Sequence, residues 1–210
     1  MKGCRPLTDV EDRAIFSAYS GHTAVRDRCM HALCTRTGLR ITEASSIRVC
    51  DVVKNGEVVK TLYIGRMSTK GKAHAAHFEL TLDARMAIYE QVRWLYDNGY
   101  SWPDCYLLKS SRGINRPLSR SGALLRLHAA AERAGVSTDK LGTHSYRKTF
   151  SRYIERWGLE RLRAGAAMHP YELLRLALRH RCLQSTMSYV SGHNQYLSQA
   201  IHSQPRLTLA

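Results

Sequence analysis

The chain has no long apolar run, few acidic residues and no paired cysteine motif, and each absence excludes a class of protein. No apolar stretch reaches the roughly 20 residues needed to cross a membrane, and residues 1–6 lack the apolar core of a secretory signal. The six cysteines form no CxxC pair, and the ten histidines show no zinc-finger spacing. We therefore expect a cytoplasmic protein with reduced cysteines, without a metal or a cofactor.

The shortage of acidic residues leaves a strongly basic chain. Its 210 residues carry 32 Lys and Arg against 17 Asp and Glu, a formal net charge of +15. The positive charge is scattered from end to end, which predicts a folded basic surface and nucleic acid as its partner. An anionic membrane surface is the alternative, but the sequence shows no long basic amphipathic helix and no lipidation motif. We expect no membrane partner.

Apolar periodicity predicts a mostly helical chain. A capping residue or a Gly or Pro marks most ends. We predict helices over residues 8–20, 23–36, a short segment capped by Thr42 or Ser45, and then 82–97, 119–134, 143–158, 159–168 and 170–178.

One stretch between these helices changes to β-branched residues with a period of two. It predicts a strand at 49–53, a hairpin turn at 54–57, a partner strand at 58–64 and a third strand at 77–81. Lys70 and Lys72 then lie near a hairpin tip. The predicted fold class is mostly α with a small antiparallel β-sheet (α+β), in one domain over residues 1–210.

The stretch from Gly142 to Phe150 suggests a site. His144 and Arg147 are three residues apart and share a helix face, so both can reach one phosphate. Two residues that merely cap a helix would explain the pair equally well if it stood alone. It stands with Arg40, a lysine near the hairpin tip and the segment 180–189.

Four segments resemble the boxes of the tyrosine recombinase (phage integrase) family, and the resemblance covers about residues 7–190. Residues 37–43 resemble the box of the first arginine, and 68–72 resemble the hairpin lysine. Residues 144–150 resemble the His-x-x-Arg box, and 180–190 the final box, where a histidine precedes the nucleophile by nine positions. The resemblance implies the fold of that family's catalytic domain.

The resemblance also implies roles for three residues in breaking a phosphodiester. Tyr189 is the nucleophile that forms a covalent 3′-phosphotyrosine, and Arg40 and Arg147 clamp the non-bridging oxygens. Guanidinium groups suit this task because they match phosphate geometry and stabilise a phenolate whose reference pKa is about 10.

The remaining roles are the transfer of protons and the orientation of the phosphate. By the same resemblance His144 helps to take the phenolic proton, Lys70 protonates the 5′ leaving oxygen, and His180 orients the phosphate. Lys72 is the alternative to Lys70, and Glu43 is expected to support the site. The predicted catalytic set is therefore Arg40, Lys70, His144, Arg147, His180 and Tyr189.

The chain departs from the family's pattern in three places. Arg179 stands where the final box usually has glycine, and residues 159–168 resemble an insertion. The catalytic part begins within ten residues of Met1, without a separate N-terminal DNA-clamping domain. In this it resembles short single-domain members such as fimbrial-switch invertases, although an excised catalytic domain would look the same. The tail, residues 191–210, docks on a neighbouring protomer or packs on its own domain.

The function implied is site-specific DNA recombination, with double-stranded DNA sites and a homo-oligomer, dimer to tetramer, as partners. A type IB topoisomerase shares the chemistry and is the first alternative. A DNA-binding module that has lost catalysis is the second.

Overall fold

A computed structural model describes residues 3–65, 76–100, 103–165, 167 and 169–180. The chain divides into two compact units, residues 1–150 and 151–210, and each is described by itself. The helices are α1 (Asp9–Ala18), α2 (Ala24–Thr37), α3 (Ile41–Ser45), α4 (Val49–Val52), α5 (Leu82–Asp97), α6 (Arg120–Arg133), α7 (Thr143–Arg163) and α8 (Pro170–Leu178). The strands are β1 (Val53–Lys54), β2 (Glu57–Val58), β3 (Thr61–Ile64) and β4 (Ala76–Glu79).

Short polar side chains start the helices where the sequence predicts. Thr8 caps α1 in a reciprocal capping box, in which its hydroxyl accepts from the Glu11 N–H and Glu11 accepts from the Thr8 N–H at 2.8 Å. Thr81 caps α5 and Ser119 caps α6 through one bond each, in which the side-chain hydroxyl accepts from the N–H of Ala84 and of Gly122. Each cap satisfies backbone donors that would otherwise lack a partner.

Helix α2 is the centre of the first unit. It packs chiefly against α5, and most of its residues are buried, polar ones included. Its buried charges are paired: the Asp27 carboxylate accepts from Arg26 at 2.7 Å and from Thr23 at 2.8 Å. The sequence predicts this helix, but apolar periodicity cannot anticipate its paired buried charges.

The predicted strand at 49–53 is wrong. Residues 49–52 form α4, in which Val49 and Val52 lie one turn apart and are both buried. Asp51 accepts a hydrogen bond from the Arg48 N–H at 2.8 Å and so fixes the start of the turn. Burial of two valines on one helix face outweighs their preference for strands.

The β-structure is split into two small sheets in the described part of the chain. The predicted turn is confirmed, since Asn55 and Gly56 both have positive φ and join β1 to β2. A single strand over 58–64 is wrong, because β3 pairs with β4 instead, with Leu62 opposite Phe78. Strand β4 confirms the third predicted strand.

In the second unit, α7 continues through Gly158 to Arg163, so a helix end at Gly158 and a separate helix over 159–168 are wrong. A Cβ at Gly158 would lie 3.1 Å from the Pro170 Cβ at the start of α8. The glycine therefore permits a close approach of two helices rather than ending one. Helix α8 has the predicted bounds.

The fold class is confirmed as mostly α with small antiparallel sheets. The five cysteines in the described ranges are free thiols, as predicted. None of the described helices is both long and apolar enough to span a bilayer.

Candidate active site

Arg40 is held in place by a buried carboxylate one turn along the chain. It is the N-cap residue of α3, which corrects the predicted Thr42 or Ser45 cap. The Glu43 carboxylate accepts from the Arg40 guanidinium at 2.9 Å and from the Arg40 N–H at 2.8 Å. Glu43 is 1% exposed, whereas a quarter of the Arg40 side chain reaches solvent. The ion pair thus fixes both the backbone and the head group of an arginine that remains open on one side.

Arg147 lies in the first turns of α7 and is 1% exposed. Its Nη1 donates to the Gly38 carbonyl oxygen, two residues before Arg40. The two predicted arginines therefore meet the same loop, although 107 positions separate them in sequence.

The buried thiol of Cys34 lies close enough to Glu43 and Arg147 for both charges to affect it. Burial raises the pKa of the Cys34 thiol, the charge of Glu43 adds to the increase and the charge of Arg147 opposes it, which gives a pKa of about 12. Cys34 is therefore a neutral thiol near both charges. Its backbone carbonyl accepts from the Gly38 N–H and closes α2 directly before the loop.

The start of α7 is supported by the N-terminal segment. The Arg5 N–H donates to the Lys140 carbonyl at 2.8 Å, and the Leu7 N–H donates to the Thr149 hydroxyl at 2.9 Å. These bonds tie residues near the N-terminus to both sides of the predicted His-x-x-Arg box.

His144 and Tyr146 lie in the first turn of α7 and differ sharply in exposure. His144 is exposed, as a residue that contacts a phosphate must be. Tyr146 is fully buried, and burial raises the pKa of its phenol well above the ordinary value. Its hydroxyl bonds instead to the Tyr19 hydroxyl at 2.9 Å.

His180 belongs to the second unit, where it follows α8. It is 8% exposed; its N–H donates to the Arg175 carbonyl and its own carbonyl accepts from the Arg175 side chain at 3.0 Å. Arg179 precedes it with φ 54° and ψ 42°, the left-handed conformation that glycine adopts most readily. The arginine therefore replaces the usual glycine without abolishing the turn.

The described residues bring Arg40, Glu43 and Arg147 to one loop, with His144 one turn from Arg147. Lys70, Lys72, Tyr189 and the tail at 191–210 lie outside the described residues. Sequence reasoning missed the buried hydrogen bond between Tyr146 and Tyr19, because the two residues are 127 positions apart and no motif links them.

The sequence model of the phage integrase family matches residues 7–191. The chain is 26% identical over 138 residues to the tyrosine recombinase XerH of Campylobacter jejuni, which covers 66% of this chain and 36% of that protein. Two solved structures share the fold. The XerA recombinase has a TM-score of 0.66 and 17% identity, covering 98% of this chain and 67% of that one. A lambda integrase dimer bound to a COC′ core site has a TM-score of 0.62 and 15% identity, covering 98% and 51%.

The chain thus spans about a third of the curated relative it matches, and between half and two thirds of these solved structures. Because the family's sequence model covers nearly all of it, the chain belongs to the phage integrase family.

Proposed function

We propose that the chain is a site-specific DNA recombinase that cuts and rejoins strands through a covalent 3′-phosphotyrosine at Tyr189. The observation that carries the proposal is the convergence of Arg40 and Arg147 on the loop at Gly38, with Arg40 held by buried Glu43. Two anchored guanidinium groups next to an exposed histidine suit an anion that gains charge during reaction.

The role of each residue is the one that the resemblance to the family implies. Arg40 and Arg147 bind the non-bridging oxygens of the scissile phosphate and stabilise the charge that develops on them. His144 accepts the phenolic proton of Tyr189 as its oxygen attacks phosphorus. Lys70, with Lys72 as the alternative, gives a proton to the departing 5′ oxygen, and His180 orients the phosphate. The new P–O bond to tyrosine replaces the bond that is broken, so rejoining needs no further energy source.

The tyrosine beside the candidate arginines does not compete with Tyr189 for the role of nucleophile. Tyr146 is enclosed in the first unit, and burial keeps its pKa high, so its phenol stays neutral and out of reach of DNA. This burial supports the assignment of the attack to Tyr189 rather than to Tyr146.

Partners follow from the charge and from the relatives. A net charge of +15 favours a nucleic acid partner, and a XerH recombinase and a lambda integrase dimer have been solved bound to a difH substrate and to a COC′ core site. We infer that two or more copies assemble on a DNA site, because strand exchange needs one nucleophile for each strand that is cut.

The test is covalent trapping on a pool of nicked duplexes whose central sequence is randomised. The wild-type chain should form DNA adducts that survive denaturant, and sequencing of the trapped DNA should recover one discrete motif. Tyr189→Phe should form no adduct yet retain DNA in a native gel, because only one hydroxyl is lost.

The alternatives give different results in the same experiment. A type IB topoisomerase would be trapped without a motif and would relax any supercoiled plasmid. A DNA-binding module that has lost catalysis would shift DNA in the native gel and form no adduct. An adduct that maps to another tyrosine would overturn the assignment of Tyr189.

A further inference from the structure

A chain of buried hydrogen bonds runs from the candidate active-site helix across the first unit. The Tyr146 hydroxyl bonds to the Tyr19 hydroxyl at 2.9 Å, and the Tyr19 hydroxyl bonds to His31 Nδ1 at 3.3 Å. His31 Nε2 bonds to the Asp12 carboxylate at 2.7 Å, and Arg36 holds the other oxygen of that carboxylate at 2.9 Å. We call Tyr146, Tyr19, His31 and Asp12 the Tyr146 chain.

The Tyr146 chain has a fixed direction when the imidazole is neutral. An ionised carboxylate only accepts, so His31 Nε2–H donates to Asp12 and Nδ1 must accept from the Tyr19 hydroxyl. The Tyr19 oxygen then accepts from the Tyr146 hydroxyl. Burial alone would raise the pKa of Asp12, but the hydrogen bonds from His31 and Arg36 and the charge of Arg36 oppose it, and the pKa is lowered overall. The carboxylate end of the chain is therefore anionic at neutral pH.

The rings reinforce these bonds. The His31 ring meets the Tyr146 ring edge to face, with 5.1 Å between centroids, and meets Tyr19 in the same way at 5.8 Å. All three side chains are at most 3% exposed. Tyr146 is thus fixed both along the direction of its hydroxyl and in the plane of its ring.

We propose that the Tyr146 chain positions the active site by fixing the rotation of α7 about its own axis, a role that rests on the proposed recombinase function. Tyr146 directly precedes Arg147 and stands two residues after His144, so all three turn together. A helix with its side chains has a radius of about 5–6 Å, so a rotation of about 10° moves a side-chain tip by about 1 Å. A displacement of about 1 Å can cost a reaction about 100-fold. Tyr146 is a positioning residue, because it acts through Arg147 and His144.

The experiment measures three quantities for each variant of the full chain: the single-turnover rate of adduct formation on the nicked duplexes trapped by the wild type, the DNA dissociation constant, and the melting temperature. The variants are Tyr146→Phe, Tyr19→Phe and the two combined. Ile15→Val, in the buried face of α1, is the matched control, since it removes one buried methylene and leaves the Tyr146 chain intact.

Tyr146→Phe should lower the rate by about 10-fold, part of the loss that a full 1 Å displacement can cause. The dissociation constant should stay within about twofold, since a fully buried hydroxyl touches no DNA. The double variant should be no slower than Tyr19→Phe alone, because Tyr19→Phe already removes both bonds that its hydroxyl makes.

A rate for Tyr146→Phe within about twofold of Ile15→Val at a similar loss of melting temperature would overturn the inference and leave a structural role only. If Tyr146→Phe does not fold, Tyr19→Phe tests the same inference, because it removes the hydroxyl to which Tyr146 bonds. Failure of the wild type to form any adduct would instead count against the proposed function, so the two failures are distinct.

Discussion

Gly38 is the position at which a single added methyl group should disturb both the fold and the candidate site. It ends α2 with φ 67°, and an added Cβ would lie 2.8 Å from Phe150 Cε1 and nearer still to Cδ1. The left-handed conformation costs an L-residue about 1–2 kcal/mol. Forcing extra volume into a packed site costs about 1–3 kcal/mol more. A smaller unfolded-state entropy returns about 0.4–1 kcal/mol. Gly38→Ala should therefore lower the free energy of unfolding by about 1–4.5 kcal/mol, a large part of the 5–15 kcal/mol typical of a domain.

Gly21 is the matched control, because its φ is 78° and nothing lies within 4 Å of its added Cβ. Urea unfolding of Gly21→Ala should show only the backbone cost, about 1 kcal/mol. Combining Gly38→Ala with Phe150→Ala should recover about 1–3 kcal/mol relative to the sum of the single variants. Equal losses for the two glycine variants, or strict additivity with Phe150→Ala, would refute the clash. Because the Gly38 carbonyl accepts from Arg147, Gly38→Ala should also slow adduct formation more than Gly21→Ala does.

Two further predictions concern stability. Arg179 follows α8 with φ 54°, a conformation that strains an L-residue, so Arg179→Gly should raise the free energy of unfolding by about 0.5–1 kcal/mol. Urea unfolding measures this change. A decrease in the free energy of unfolding would show that the contacts of the Arg179 side chain stabilise the fold by more than the strain costs. Asp12 has a lowered pKa in the folded chain, so it stabilises the fold above the unfolded value of about 4 and loses that contribution as the pH falls through the folded value. As the pH is lowered from about 5 to 2, the melting temperature should therefore decrease less steeply for Asp12→Asn than for the wild type. The Asp83 side chain is 71% exposed, so Asp83→Asn should keep the wild-type dependence of melting temperature on pH. Equal pH dependence in the two variants would contradict the stabilising role of the Asp12 carboxylate.

The parts of the fold that were predictable are those fixed by local chemistry. Thr8 and Glu11 form a capping box whose two bonds need only residues three apart, and Asn55-Gly56 supports a turn that needs only its own backbone. The failures have tertiary causes. Val49 and Val52 form a helix because both are buried, and Gly158 stays helical because it makes room for Pro170. No local pattern carries either fact.

The site shows the same division. Arg40, His144 and Arg147 were predicted by resemblance to short motifs, and the expected support from Glu43 is three residues from Arg40 along the same chain. The bond from Arg147 to the Gly38 carbonyl and the Tyr146 chain join positions more than 100 residues apart, so a single sequence contains no signal for them. Tyr146 lies between His144 and Arg147 in the sequence, but only its burial in the structure assigns it to the core.

The buried carboxylate of Glu43 is best explained by geometry rather than by charge. Under the proposed assignment, Arg40, Arg147 and Glu43 together carry one net positive charge, because the carboxylate cancels one guanidinium. A phosphodiester carries one negative charge, and a second develops as the nucleophile attacks, so further positive charge must come from Lys70 and His144. An active site selected only for a strong field would not contain Glu43. The contribution of Glu43 is to fix Arg40, because an arginine bonded through both its backbone and its guanidinium needs no reorganisation when charge develops.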